Sequence, residues 1–177
     1  MFVFYIAIFV GIICQITLMC FGRIARKVPI NYIILMILTA CESYTLSLTV
    51  AQYEPRDVFQ TFLLTAISFL GMSLYAMSTR KDLSIYGSVV AGSAFCMITI
   101  GILMIFFSAP WLRMLYSGAA LWLALVFVAV DTQLILKKRK HGIGYDDFVR
   151  ASAMLYIDFI NLFIHIISLF GGRRNRL

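Results

Sequence analysis

Charge is scarce in this chain: of 177 residues, only 13% are Asp, Glu, Lys or Arg, about half the share found in an ordinary soluble domain. With 62% of the residues hydrophobic, too few polar side chains remain to cover a globular surface. A soluble domain or globular enzyme is thereby excluded. Proline is rare, and Pro29, Pro55 and Pro110 all fall between apolar runs, where a helix break costs least. The four cysteines, Cys14, Cys20, Cys41 and Cys96, lie inside or at the ends of apolar runs and show no C-x-x-C spacing. They read as small buried hydrophobes rather than metal ligands. No Gly/Ser linker, internal repeat or low-complexity tract divides the chain, so residues 1–177 are predicted to form a single transmembrane helical domain. Acid is scarcer than base: 8 Asp and Glu stand against 15 Lys and Arg, a formal net charge of +7. The basic residues do not make a nucleic-acid patch, because nearly all of them sit in short breaks between apolar runs.

What the sequence does hold is long apolar runs. A bilayer core about 30 Å thick needs roughly 20 apolar residues per helix. The runs between charges predict about six transmembrane helices, at 1–22, 30–50, 58–78, 85–109, 111–136 and 149–170. The fold class is an all-α integral membrane protein, with the turn at Ser108-Ala109-Pro110 dividing the longest stretch. Residues 1–22 lack the basic start of a signal peptide. Arg23, Arg26 and Lys27 follow the run instead, which is the order of a membrane anchor. The odd loops carry Arg23, Arg26, Lys27, Arg80, Lys81, Lys137, Lys138, Arg139, Lys140 and Arg150, and the even loops only Arg56 and Arg113, so the odd loops are predicted to be cytosolic. Arg173, Arg174 and Arg176 break the rule if the last segment spans, and obey it if that segment is re-entrant.

Ionisable residues within a span cost several kcal/mol and are functional candidates by default. Glu42, Asp131 and Asp158 qualify, and His165 is the only intramembrane base near them. The acids lack obvious cationic partners, so protons, metal cations or proton sharing must neutralise them. Asp131 and Asp158 lie roughly 9 and 14 Å in from the cytosolic boundary and Glu42 roughly 19 Å, at about 1.5 Å per residue. Asp131 and Asp158 stand on neighbouring antiparallel segments joined by one loop, which allows the carboxylates to face each other. Asp146 and Asp147 mark the cytosolic mouth. Glu42 shares a helix face with Thr39, Thr45 and Thr49, and Asp158 shares one with Asn161 and His165. These stripes read as a polar path or as interhelical hydrogen bonding that glues the bundle. Lone His165 fits a packing or polar-stripe residue better than a metal ligand. Two close carboxylates would share a proton and act as a latch, tying two helices when protonated and repelling when ionised. The same oxygens would attract Ca²⁺.

Several segments resemble the Bax-inhibitor family, which includes the lifeguard and Golgi anti-apoptotic proteins. Ala129-Val130-Asp131-Thr132-Gln133-Leu134-Ile135-Leu136 resembles its D-T-Q motif. Leu155-Tyr156-Ile157-Asp158-Phe159-Ile160-Asn161-Leu162-Phe163 is similar to its last-helix L-Y-x-D-x-x-N-L-F pattern. Thr39-Ala40-Cys41-Glu42-Ser43-Tyr44-Thr45-Leu46 resembles its E-G-Y-T-L segment, and Tyr145-Asp146-Asp147-Phe148 occupies the place of an acidic loop before the final helix. The four motifs stand in the family's order. Ser43 and Ser47 replace small glycines expected around Glu42, which bears on close packing there. The likeness runs from the family's second helix to its seventh, so its first helix has no counterpart in these residues.

The resemblance implies a helical bundle around a central C-terminal helix. It implies a passive, pH-sensitive Ca²⁺ leak from an internal store, in the endoplasmic reticulum or Golgi, linked to inhibition of apoptosis. Asp131 and Asp158 would be the proton-sharing pair, with transient Ca²⁺ between them, Asp146 a mouth acid and Glu42 a weaker candidate. No cofactor and no firmly bound metal is expected; Ca²⁺ is the transported ion, and the partners are lipid, Ca²⁺, protons and cell-death regulators, without nucleic acid. One rival is a non-conducting membrane protein that binds cell-death regulators. The other is an intramembrane aspartyl protease, which also sets two aspartates on neighbouring helices. That chemistry needs G-x-G-D, whereas Leu155-Tyr156-Ile157 precedes Asp158, and Gly142-Ile143-Gly144-Tyr145-Asp146 is one residue out of register. The chain is therefore expected not to be an enzyme.

Overall fold

The computed structural model describes residues 2–21, 27–79, 83, 92–93, 95–101, 110–140 and 148–172. Five long helices account for most of them: α1 (Phe2–Cys20), α2 (Ile30–Val50), α3 (Pro55–Ser78), α4 (Pro110–Lys140) and α5 (Phe148–Phe170). All five are long and apolar enough to cross a membrane, and no strand occurs among the described residues beyond an isolated bridge position at Tyr53. The predicted spans correspond to these helices with small shifts at their ends. The span at 85–109 lies largely outside the described residues, of which 95–101 is helical. α3 starts with Pro55 in its first turn, after an extended Glu54, where the missing proline N–H costs nothing. α4 has 31 residues, about 46 Å at 1.5 Å each, so it outruns the bilayer core. Its apolar window is Met114–Leu136.

Helix α5 packs against each of the other four. This is the central helix that the resemblance implied. Leu162, Phe163, Ile166 and Ile167 are buried along it. Phe159 meets Phe62 and Phe69 of α3 edge-on, with centroids 6.0 and 5.6 Å apart. Outward residues such as Phe9, Met36, Ile67 and Trp122 are exposed and apolar, as lipid contact requires. Close packing and interhelical hydrogen bonds hold such a bundle, because lipid is as apolar as its core.

The two ends of α5 are tied to opposite ends of the bundle. At the start, the Arg150 Nη2 donates to the Met19 carbonyl in the last turn of α1 at 2.7 Å. Beyond its last turn, the Gly172 N–H donates to Asp57 Oδ2 in the first turn of α3 at 2.7 Å. Since α1 ends and α3 begins on opposite sides, α5 runs the full depth of the bundle. Its 23 uninterrupted residues make about 34 Å. α5 is long and apolar enough for the spanning reading of the last segment, and its uninterrupted helix contains no chain reversal. Arg173, Arg174 and Arg176 lie outside the described residues. The side holding the end of α1 and the start of α5 is called the basic end below.

Candidate functional site

Ser117 of α4 and Ser168 of α5 set the register of the antiparallel pair, their hydroxyls 3.4 Å apart. Stepping ten residues along α4 and ten back along α5 sets Phe127 opposite Asp158. Asp131 lies four residues further toward the basic end, about 6 Å along the axis. The two carboxylates are within electrostatic range of each other. Asp158 is 8% exposed, and its Oδ2 is buried with no hydrogen-bond partner. Asp131 is half-buried. The structure thus brings the two aspartates together across the α4–α5 seam.

Asp158, Asn161 and His165 line a cavity of about 250 Å³ with Tyr116, and its remaining wall is apolar, formed by Met97, Ile98, Ala120, Leu123, Ala124 and Phe127. The spacing that placed these three polar residues on one face therefore meets a real space. Glu42 stands elsewhere. It is half-buried on α2 and turned toward α1, where a Cβ added at Gly11 would lie 3.5 Å from Glu42 Oε1. That is ordinary van der Waals contact, so α1 and α2 pack closely at this carboxyl. The threonine stripe is satisfied within its own helix. Thr39 Oγ1 donates to Leu35 O at 2.8 Å, Thr45 Oγ1 to Cys41 O and Glu42 O at 3.1 and 3.0 Å, and Thr49 Oγ1 to Thr45 O at 2.9 Å. Such back-bonding satisfies hydroxyls in an apolar setting without a partner helix. Asp146 and Asp147 lie outside the described residues, and no cluster of metal-ligating side chains occurs among the described ones.

Sequence reasoning centred on ionisable groups gave no role to the neutral residues that organise the site, although Thr132 and Gln133 stand in the D-T-Q motif. Gln133, 6% exposed, accepts from the Leu83 N–H at 2.8 Å through Oε1 and donates from Nε2 to Ala76 O at 3.2 Å. Thr132 Oγ1 reaches Ser73 Oγ of α3 at 3.5 Å. The three consecutive residues Asp131, Thr132 and Gln133 thus address Asp158, α3 and the segment after α3. Buried Asn31 was given no role either: its Oδ1 accepts from the Tyr32 N–H at 2.9 Å, while its Nδ2 has no partner. Ser168 was within reach, since it continues the Asp158 stripe at an offset of ten.

A bundle of membrane-length helices packed around an acid-bearing central helix defines a multi-pass integral membrane protein. The chain belongs to the family described as inhibitor of apoptosis-promoting Bax1, which it matches over residues 1–175. It is 26% identical to protein lifeguard 3 of Mus musculus over 175 residues, covering 97% of this chain and 57% of that protein. It is 31% identical to the Golgi anti-apoptotic protein of Vaccinia virus (strain Lister) over 144 residues, or 81% and 59% of the two chains. To Bax inhibitor 1 of Schizosaccharomyces pombe it is 29% identical over 158 residues, or 88% and 58%. The match spans less than two thirds of each relative's length.

Proposed function

We propose that this chain forms a pH-responsive Ca²⁺ leak in an internal membrane and opposes apoptosis by lowering the Ca²⁺ of an internal store. The observation that carries this reading is the Asp131–Asp158 pair, with Asp158 buried in the central helix and one of its oxygens unpartnered. A shared proton holds α4 against α5. Its loss leaves two like charges about one turn apart, which drive the seam open and offer hard oxygen ligands to a passing Ca²⁺. The relatives' names support the setting: one is called a Golgi anti-apoptotic protein, and the family description speaks of inhibiting a death-promoting protein.

Those same names favour a second reading, because they speak of inhibition and not of conduction. In that reading the protein acts by binding a cell-death regulator within the membrane. The names are of inhibitors rather than enzymes, which leaves the protease reading least supported.

Ca²⁺ efflux from proteoliposomes containing only this protein, from about pH 6 to about pH 8, separates the two readings. Flux that rises with pH in the wild type but stays flat in Asp158→Asn supports the leak and its latch. Absence of flux throughout that range moves the function to partner binding.

A further inference from the structure

On α5 the polar edge is open and the apolar sides are covered. Asn161 and Ser168 are exposed and His165 is partly so, whereas Leu162, Phe163, Ile166 and Ile167 between them are 0–5% exposed. A helix facing lipid shows the reverse. An amide or imidazole set in hydrocarbon without a partner costs several kcal/mol, so this edge requires water. The cavity beside it has room for that water: its volume is about 250 Å³, enough for about eight waters at roughly 30 Å³ each. Positions 158, 161, 165 and 168 follow one another at three- and four-residue steps, a stripe on α5 that runs toward the end opposite the basic one, where Asp57 receives the Gly172 N–H beyond the last turn.

We propose that this cavity is a hydrated vestibule through which divalent cations pass between Asp158 and the end of the bundle opposite the basic one, with His165 as the residue that admits or repels them by its charge. The inference rests on the conducting reading and deepens it. A neutral imidazole offers a cation a hydrogen-bonding wall, whereas an imidazolium places a positive charge in its path. The titratable groups sharing the cavity with His165 are Asp158 on α5 and Tyr116 on α4. The 95–101 helix contributes Met97 and Ile98, which do not titrate, and no described residue of α1, α2 or α3 lines the space. Ala120, Leu123, Ala124 and Phe127 form an opposite wall without ligands, so a cation there is held weakly enough to leave, as conduction requires.

The test uses the full chain in lipid nanodiscs and proteoliposomes. The native thiols are removed as Cys14→Ser, Cys20→Ser, Cys41→Ser and Cys96→Ser, and single cysteines are then introduced. Asn161→Cys, His165→Cys and Ser168→Cys are expected to react with a water-soluble thiol reagent. Ile160→Cys and Ile167→Cys, on the covered sides of the same helix, are expected not to. At position 165, an adduct carrying trimethylammonium should reduce Ca²⁺ efflux by about tenfold or more, while a sulfonate adduct of similar size should not. Absence of reaction on the stripe, or equal reaction at the covered positions, overturns the vestibule. Equal loss of flux with both adducts overturns selection by charge. If the cysteine-free chain conducts no Ca²⁺ at any pH, the leak and the gating role of His165 fall together, and the labelling pattern still decides whether the cavity is hydrated.

Discussion

Arg150 and Met19 are 131 residues apart in sequence, yet the guanidinium Nη2 of one lies 2.7 Å from the carbonyl oxygen of the other. The contact caps the C-terminal turn of α1 with a cation from the first turn of α5. There it meets both an unsatisfied carbonyl and the negative end of the helix dipole. Leu18, Leu38, Ala153 and Ile157 pack immediately beside it, joining α1, α2 and α5.

Arg150→Ala is expected to lower the stability of the bundle by about 1–3 kcal/mol, the range for a hydrogen bond to a charged donor. Arg150→Lys should recover only part of the loss, since an ammonium lacks the planar reach of the guanidinium. Thermal unfolding in a mild detergent measures both. A variant as stable as the wild type would mean that water caps α1 equally well.

Gln133 anchors α4 by two hydrogen bonds whose partners, Ala76 and Leu83, belong to α3 and the segment after it. Gln133→Leu keeps the bulk and strands a backbone carbonyl and an N–H at a buried position. The expected cost is about 2–4 kcal/mol, from two unsatisfied groups. Gln133→Glu keeps an acceptor and an O–H donor when protonated, so it should approach wild type at low pH, and it loses the donor on ionisation, so it should fall toward Gln133→Leu as the pH rises. Denaturation followed by circular dichroism across a pH series tests the order.

The helices were legible because lipid imposes a length and a composition on each of them, and α2 matches its predicted 30–50 residue for residue. The stripe of Asp158, Asn161 and His165 was legible because helical spacing is fixed by geometry. Arg150 was not, since a charge near a span end reads as a loop residue that sets topology, and only the fold shows which carbonyl it reaches. Gln133 stood in the D-T-Q motif but received no role, for a different reason: a neutral amide carries no charge penalty that marks it for attention. The threonines around Glu42 show what periodicity alone leaves open. Their periodicity suggested a path or a helix–helix glue, while their hydroxyls turn back to the carbonyls of their own helix.

Gly171 ends α5 in a position with no room for a side chain. Its N–H donates to Ile167 O at 2.8 Å, and an added Cβ would lie 2.5 Å from that oxygen and 2.6 Å from Tyr53 Cδ1. Gly171→Ala must therefore shift either the helix end or the Tyr53 ring. The expected cost is about 1–3 kcal/mol, in the range of overpacking. Tyr53→Ala should relieve part of it, so the double variant loses less than the sum of the single ones. Additive losses would place the strain at the Ile167 carbonyl alone.

Asp158→Asn separates the charge of the pair from its shape. Asparagine keeps the volume and one acceptor oxygen, and its amide has no charge to repel Asp131 across the seam. Where carboxylates are ionised, the wild type carries two like charges about one turn apart, one of them buried, and this opposes the closed packing of α4 on α5. Where they are protonated, that repulsion is gone. The substitution should therefore raise the unfolding midpoint more at about pH 8.5 than at about pH 5. Asp131→Asn should act in the same direction by a smaller amount, because Asp131 is only half-buried and pays less to lose its water. Thermal midpoints of the three proteins at both pH values provide the measurement. If both substitutions lower stability equally at the two pH values, charge repulsion across the seam is not what opposes closure, and the latch fails with it.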